Sequence, residues 1–186
     1  ADPNDTSVGL GGLPNEDGVV QLDAACMDGR IHKSGAVAAI ENILHPIQVA
    51  RLVLLRTDHC QIFGADAYRF ARAHGHPHTE LLTEGSRAAW MRWKENLSDQ
   101  DDRVGPPPAQ QKTGALLEPL SDRKDHTGTI HCSVLAPDGN VACATSTSGL
   151  AWKIPGRVGD SAIVGAGLYC DAEAGSAGST GRGEAS

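Results

Sequence analysis

The hydroxyl side chains that could act as nucleophiles in this sequence stand at the two ends of one short segment. Thr129 belongs to the motif GTI, and Thr147 belongs to the run TSTSG. The apolar segments 129–136 and 141–147 flank a Pro-Asp-Gly-Asn turn, which predicts a β-hairpin whose ends meet. Thr147 is therefore expected beside Thr129. By itself, a threonine at a strand start is unremarkable, because β-branched residues favour strands.

A positive and a negative side chain follow in a glycine-flanked loop. Arg157 and Asp160 belong to the segment PGRVGDS. Such a pair can form an exposed salt bridge of little energetic worth. It can also hold a zwitterionic ligand, because a guanidinium binds a carboxylate bidentately and a carboxylate accepts hydrogen bonds from an ammonium group.

The third chemical feature is the segment Ser179-Thr180-Gly181, which offers a hydroxyl group and a backbone N–H together. Donors of this kind can stabilise the negative charge of a tetrahedral intermediate, as in an oxyanion hole. The same residue types are common in simple turns. Each feature taken alone favours a structural interpretation, and only their joint order and spacing indicate a site.

Helices and short strands are predicted to position these residues. Strand patterns cover 19–27 and 59–63, and helical patterns cover 46–56, 65–73 and 84–95. The polar segment 96–128 contains three successive prolines and no regular pattern, which predicts a linker. Strands and glycine-rich loops follow it. This order predicts a mixed α+β domain in which helices cover a largely antiparallel sheet.

Composition and charge exclude several classes of function. The net charge is −7 without a Lys/Arg cluster, unlike a nucleic-acid-binding protein. Hydrophobic residues make up 40%, enough for a folded core, and none of the apolar stretches is long enough to span a membrane. The loop-like opening at Ala1 and the ending TGRGEAS indicate a fragment. The compartment stays open between cytoplasm and periplasm or secretion.

Cysteines and histidines do not indicate a metal or redox centre. The five cysteines are odd in number and form no CxxC motif. His74, His76 and His78 follow a predicted helix end, where a solvated loop is favoured over a metal site. Cys60 has no evident partner for catalysis. The tryptophans at 90 and 93 stand one helical turn apart, which favours packing over a sugar-binding platform.

Taken in order, the motifs resemble those of one enzyme family. They are SVGLGGLPNEDG, LDAACMDG, GTI, TSTSG, IPGRVGDS, IVGAGLY and STGRGE. The chain resembles N-terminal nucleophile hydrolases of the glycosylasparaginase (aspartylglucosaminidase) and isoaspartyl peptidase group over nearly all its length. Long ordered matches are more specific than one short motif. The resemblance implies a four-layer αββα sandwich with the nucleophile at a strand start between two sheets.

The resemblance also implies that the chain cuts itself between Gly128 and Thr129. Residues 1–186 would be part of a single domain. Residues 1–128, including the linker 96–128, would form the α-chain part, and residues 129–186 would begin the β-chain. Two such α/β pairs would form the biological unit. Neither a metal nor an organic cofactor is required for this chemistry.

The resemblance assigns the nucleophile and its base to one residue. Thr129 would become a new N-terminus, and its α-amino group, with a reference pKa near ~8, would act as general base on its own hydroxyl. One residue would then hold both groups in fixed geometry. Thr147 would donate or accept a hydrogen bond that orients Thr129.

The other implied roles concern the substrate. Arg157 would bind the α-carboxylate of the aspartyl part, and Asp160 would bind its α-ammonium group. The Thr180 hydroxyl and the Gly181 N–H would stabilise the oxyanion, and Ser7 would support the site from the first segment. The reaction would be hydrolysis of a side-chain amide, in a glycosylated asparagine or another β-aspartyl compound, through a β-aspartyl ester.

At two positions the sequence differs from the usual motifs of the family, and these differences bear on which branch it resembles more. SVGLGG and PNEDG resemble glycosylasparaginases, which act on asparagine linked to N-acetylglucosamine. Those enzymes typically carry Asp before the nucleophile, whereas Gly128 is more similar to the isoaspartyl peptidase branch. His131 stands where the family commonly has glycine, on the same strand face as Thr129; a space-filling role is favoured. The alternatives are an isoaspartyl peptidase or L-asparaginase, and an uncut homologue without catalysis.

Overall fold

The computed structural model describes residues 5–97 and 127–181. Across these two ranges the elements follow one another in the order β1 (Gln21–Asp28), β2 (Lys33–Glu41), α1 (Pro46–Arg56), β3 (Gln61–Phe63), α2 (Gly64–Ala73), α3 (Glu84–Glu95), β4 (Thr127–Leu135), β5 (Val141–Leu150), β6 (Leu168–Asp171) and β7 (Gly175–Gly178). A short 3₁₀ turn spans Asp160–Ala162. This mixture confirms the α+β class.

A five-stranded sheet with the order β3-β2-β1-β5-β4 forms the centre of the described chain. Its neighbours run antiparallel except β2 and β3, which are parallel. The predicted, largely antiparallel sheet is thus confirmed. Strand β2 escaped prediction because its central residues are buried on both faces, and strands of that kind lack the polar–apolar alternation that identifies a strand.

The two faces of this sheet carry different layers. Helices α1 and α2 cover one face, through a core that includes Leu22, Val37, Ile40, Val49 and Val53. The antiparallel pair β6–β7 lies on the other face, over a core that includes Ala25, Met27, Ala36, Cys143 and Leu168. The described elements therefore form three layers, one of helices and two of sheet. They agree with an α+β fold, and the fourth layer of the predicted sandwich is not among them.

The predicted bounds of two helices are confirmed, and local signals explain them. Helix α1 begins at Pro46, whose missing N–H costs nothing in the first turn. Helix α3 begins after Thr83, whose hydroxyl accepts a hydrogen bond from the Ser86 N–H. In the part of the chain that the structure describes, no helix is long and apolar enough to cross a membrane.

The predicted hairpin is present and longer than expected. A hydrogen bond of 2.8 Å from the Ala136 N–H to the Asn140 carbonyl closes its turn. Strand β4 already begins at Thr127, so the last two residues of the predicted linker belong to a strand. In this chain Thr129 is therefore the third residue of β4, not a strand start. The remainder of the linker prediction, residues 98–126, lies outside the described residues.

Candidate active site

Thr129 and Thr147 face each other across the hairpin at an irregular point of the ladder. Gly128 pairs with Gly149 and Thr129 with Thr147, so β5 has one extra residue between these two pairs. The hydroxyl of Thr129 donates to the Thr147 hydroxyl at 3.2 Å. The hairpin thus brings these two residues together, as its turn predicts.

Thr147 connects the hydroxyl of Thr129 to the peptide group that precedes it. Its Oγ1 donates a hydrogen bond to the Gly128 carbonyl oxygen and accepts one from the Gly149 N–H at 2.9 Å. The side chain is buried, with 3% exposure. A continuous path of hydrogen bonds therefore runs from the Thr129 hydroxyl through Thr147 to the carbonyl of the Gly128–Thr129 bond.

The backbone of Ser7 packs directly on Gly128. A Cβ atom added to Gly128 would overlap with the Cβ and carbonyl of Ser7. The Ser7 carbonyl accepts a hydrogen bond of 2.8 Å from the Ser148 hydroxyl, while the Ser7 hydroxyl donates to Asp5. Ser7 therefore contacts the bulge through its main chain, and its hydroxyl is directed to a neighbour in its own segment.

This contact predicts that Gly128→Ala destabilises the uncut chain. Overpacking of a close contact costs about 1–3 kcal/mol, because the new methyl group must displace the Ser7 backbone. The free energy of unfolding is best measured by denaturant titration in a Thr129→Ala background, so that both proteins stay in one piece. Gly85→Ala is the matched control, since a Cβ there comes no closer than 3.9 Å to Thr83 Oγ1. Equal midpoints for both alanine variants would contradict the prediction.

A small cleft surrounds the two threonines. It is lined by Gly128, Thr129, Thr147, Gly149, Leu150, Arg157, Gly159, Asp160, Ser161 and Gly181. Six of the residues predicted for the site therefore share one cleft. Thr180 is exposed and not among the lining residues, and Ser7 reaches the cleft only through Gly128. The cleft encloses only about 10 Å³, far below the roughly 300–1,000 Å³ typical of ligand pockets.

Arg157 and Asp160 line the same cleft from the segment that follows β5. The Arg157 guanidinium lies against Gly149 and Gly159. Asp160 is 5% exposed and opens the 3₁₀ turn, where its carbonyl accepts hydrogen bonds from Ile163 at 2.8 Å and Gly167 at 3.1 Å. The loop thus places a positive and a negative side chain within the cleft that holds Thr129.

Comparison with known proteins agrees with the motifs. Residues 1–186 match the sequence profile of the family described as asparaginase. The chain belongs to the asparaginase family. The predicted resemblance is therefore confirmed at the level of the family.

Similar relatives in this family carry two different names. The chain is 41% identical over 182 residues to an isoaspartyl peptidase/L-asparaginase from Xenopus laevis, covering 96% of the chain and 52% of that protein. It is 40% identical over 183 residues to an N(4)-(beta-N-acetylglucosaminyl)-L-asparaginase from Elizabethkingia miricola, covering 98% and 48%. An enzyme of the latter name from Mus musculus is 38% identical over 195 residues, covering 97% and 56%. The chain spans about half the length of these relatives.

Two buried charged residues support the cleft of this asparaginase-family chain and were not predicted. Asp23 is fully buried in β1, and its Oδ1 accepts a hydrogen bond of 2.8 Å from the Ala39 N–H. Burial raises the pKa of Asp23, whereas the positive charge of Lys153 and the N–H groups of Ala39 and Gly159 act in the opposite direction. Asp23 therefore contacts, at Gly159, the loop that carries Arg157.

Lys153 is the positive partner in this buried group. It is 4% exposed, and its Nζ donates to the Gln21 carbonyl at 3.2 Å. Burial lowers the pKa of Lys153, and the negative charge of Asp23 opposes that shift. The sequence contained one signal for this buried group, which is Asp23 in the middle of the apolar run VVQLDAACM. Carboxylates are rarely buried without a partner, so a charged residue there predicts one.

Residues set aside by the sequence analysis lie away from the cleft. Trp93 stacks on Trp152 with ring centroids 5.2 Å apart, and Trp90 Nε1 donates to the Glu16 carbonyl at 3.0 Å, which confirms the packing interpretation for both helical tryptophans. His78 contacts Tyr68 and Glu80 by hydrogen bonds. Within residues 5–97 and 127–181 no group of three or more potential ligands could hold a metal ion.

Proposed function

We propose that this chain carries the catalytic centre of an amidohydrolase that cuts itself before Thr129 and then uses Thr129 as nucleophile. The path of hydrogen bonds from Thr129 through Thr147 to the Gly128 carbonyl is the observation that carries this proposal. Membership of the asparaginase family supports the reaction class, which is hydrolysis of an amide.

Self-cleavage follows from the order of the atoms along this path. The Thr129 hydroxyl oxygen adds to the Gly128 carbonyl carbon. Its proton passes to the Thr147 hydroxyl while Thr147 passes its own proton to the Gly128 carbonyl oxygen. Thr147 donates to the carbonyl oxygen on which negative charge develops, which stabilises the tetrahedral intermediate. The C–N bond then breaks as the carbonyl re-forms, and the relayed proton passes to the Thr129 nitrogen. Water hydrolyses the resulting ester, which leaves a carboxylate on Gly128 and frees the Thr129 hydroxyl and amine.

Cleavage would also open the cleft to substrate. Gly128 lines the cleft in the uncut chain, so a substrate occupies the space that residue 128 vacates. The α-amino group of Thr129 then takes the proton from its own hydroxyl, which attacks the side-chain carbonyl of the substrate. Arg157 holds the α-carboxylate and Asp160 the α-ammonium group, while the Thr180 hydroxyl and Gly181 N–H stabilise the oxyanion.

The substrate class we propose is asparagine with its side-chain nitrogen linked to N-acetylglucosamine. The relatives named N(4)-(beta-N-acetylglucosaminyl)-L-asparaginase support this choice. The Xenopus relative supports isoaspartyl dipeptides or asparagine as the alternative at nearly the same identity, and Gly128 favours that branch. A third possibility, an uncut homologue without catalysis, is favoured by the tight packing of Ser7 on Gly128.

Rates on three substrates test the proposal. The full-length protein is incubated with N4-(β-N-acetylglucosaminyl)-asparagine, a β-aspartyl dipeptide and asparagine, and the released aspartate is followed over time. We expect the highest kcat/KM on the glycosylated substrate. A higher kcat/KM on the dipeptide would assign the alternative branch. No hydrolysis by a protein that also stays uncut would leave the non-catalytic homologue.

The proposal extends to architecture and assembly. We expect residues 1–128 and 129–186 to belong to the two parts of one four-layer αββα domain, in which further elements cover the faces that the described elements leave open. Two α/β pairs would form the unit in solution. The mass of the cut full-length protein, measured by light scattering after gel filtration, distinguishes one pair from two.

A further inference from the structure

His131 occupies a position next to the nucleophile that the proposed reaction does not use. It stands two residues after Thr129 on β4, so the two side chains share a face of the sheet. Its Nδ1 lies 3.0 Å from the Thr145 hydroxyl, and its Nε2 lies 2.8 Å from the Ser133 hydroxyl. Both ring nitrogens thus have partners on the hairpin.

The ring of His131 also contacts the last residue of β7. A Cβ atom added to Gly178 would overlap with the His131 ring, so the imidazole lies directly against the Gly178 backbone. A second connection runs through Ser133, the hydroxyl partner of His131 on β4. The Ser133 hydroxyl lies 2.8 Å from that of Ser176, which belongs to β7 like Gly178. His131 therefore joins the nucleophile's hairpin to β7 by steric contact and by a short chain of hydrogen bonds.

The segment that begins at this contact leads straight to the cleft. Strand β7 ends at Gly178, and Gly181, which lines the cleft, follows three residues later. Three residues span about 10 Å at most, so Gly181 lies close to the point where the His131 ring meets Gly178. Between them, the Ser179 N–H is held by the Gly167 carbonyl at 3.1 Å.

We propose that His131 is a positioning residue for the Thr180–Gly181 segment, acting through its contact with Gly178. The proposal rests on the oxyanion role of this segment in the proposed function. The imidazole sets the spacing between β4 and β7, and that spacing determines where the Thr180 hydroxyl and Gly181 N–H meet the developing negative charge. This chain thus places a large side chain against a glycine on the facing strand.

The contact between His131 and Gly178 is tested by making the first side chain smaller and the second larger. The full-length protein is compared with His131→Ala, Gly178→Ala and the double variant. In each single variant we expect kcat to fall about 10- to 100-fold, since a misplacement of about 1 Å or the loss of one oxyanion donor has effects of that order. KM should change less than about threefold, because Arg157 and Asp160 lie on another loop. The double variant should recover most of kcat, because the new methyl group fills space that the ring has left.

Hydrogen exchange provides a readout that does not depend on activity. We expect faster amide exchange in peptides covering 176–181 for His131→Ala, restored in the double variant, with peptides of 46–56 unchanged. Leu135→Ala is the control on the same strand, since that side chain is 73% exposed; it should alter neither kcat nor exchange.

The outcomes separate the two proposals. Unchanged exchange at 176–181 in His131→Ala overturns the positioning role, and so does faster exchange with an unchanged kcat. A fall in kcat that the double variant does not reverse also overturns it. If the unmutated protein neither cuts itself nor hydrolyses substrate, the proposed function fails, and the exchange data alone decide whether His131 holds this segment.

Discussion

Replacing Thr129 with alanine is expected to leave one uncut chain without hydrolase activity. The substitution removes the hydroxyl that we propose adds to the Gly128 carbonyl, and with it the first hydrogen bond of the path through Thr147. Because an uncut chain has no free α-amine at residue 129, nucleophile and base are lost together. Intact mass and N-terminal sequencing of the purified full-length protein measure this directly. The unmutated protein should give two fragments, one beginning Thr-Ile-His.

Thr129→Ser is the control for this experiment. Serine keeps the hydroxyl but lacks the methyl group that restricts the side chain to few rotamers, so cutting should proceed, at a lower rate. Two fragments from the alanine variant would show that another group performs the cleavage. A single chain from the unmutated protein as well would remove the enzyme proposal and leave the family fold.

The second large effect is expected for Lys153→Met, which removes the buried positive charge beside Asp23. The positive charge of Lys153 opposes the cost of burying the Asp23 carboxylate, and its removal is expected to cost up to about 3 kcal/mol, the lower end of the range for breaking a directly contacting buried ion pair. Asp23 is fully buried and cannot be reached by water to replace the lost partner. Denaturant titration in the Thr129→Ala background, at one fixed protein concentration, gives the change in the free energy of unfolding.

The double variant Asp23→Asn/Lys153→Met tests the coupling. Asparagine keeps an acceptor for the Ala39 N–H without a charge, so the double variant should lose less stability than the two single variants added together. Additive losses would show that the two charges do not interact. In the cut protein we expect Lys153→Met also to raise KM, because Asp23 contacts the backbone at Gly159 between Arg157 and Asp160.

The stability deficit of Lys153→Met should depend on pH in a definite direction. Burial already raises the pKa of Asp23, and Lys153 opposes that rise, so removing the lysine raises the pKa in the folded state further. A carboxyl whose pKa is higher in the folded than in the unfolded state binds protons more tightly when folded. The variant is therefore least deficient at acidic pH. Its deficit relative to the unmutated protein grows as the pH rises from the folded-state pKa of Asp23 in the unmutated protein to its higher folded-state pKa in the variant. A deficit that is constant from pH 4 to 8 would contradict this.

Local sequence signals were sufficient to predict the helices and the hairpin. Pro46 and Thr83 determine where α1 and α3 begin, because a first-turn proline and a capping hydroxyl act on their immediate neighbours. The turn at 137–140 aligns β4 with β5 and so brings Thr129 to Thr147. These interactions span a few residues, and a periodicity or a turn type expresses them directly.

Other features were decided by the tertiary structure. Strand β2 is buried on both faces, which removes the alternation that a single strand shows. The contact of Ser7 with Gly128 and the electrostatic interaction of Asp23 with Lys153 join residues more than a hundred positions apart. Which side chains meet over such separations depends on the order of strands in the sheet, and no short-range pattern contains that order.

The residues of the proposed chemistry, Thr129, Thr147, Arg157, Asp160 and Gly181, were predicted from the sequence through ordered motifs that resemble one family. What only the tertiary structure decided is how they are held: the bulge beside Thr129, the buried charges beneath Arg157 and the ring of His131 against Gly178. The physical reason is range, since residue type sets what a group can do, whereas burial and packing by distant segments set where it stands and how strongly its charge is felt.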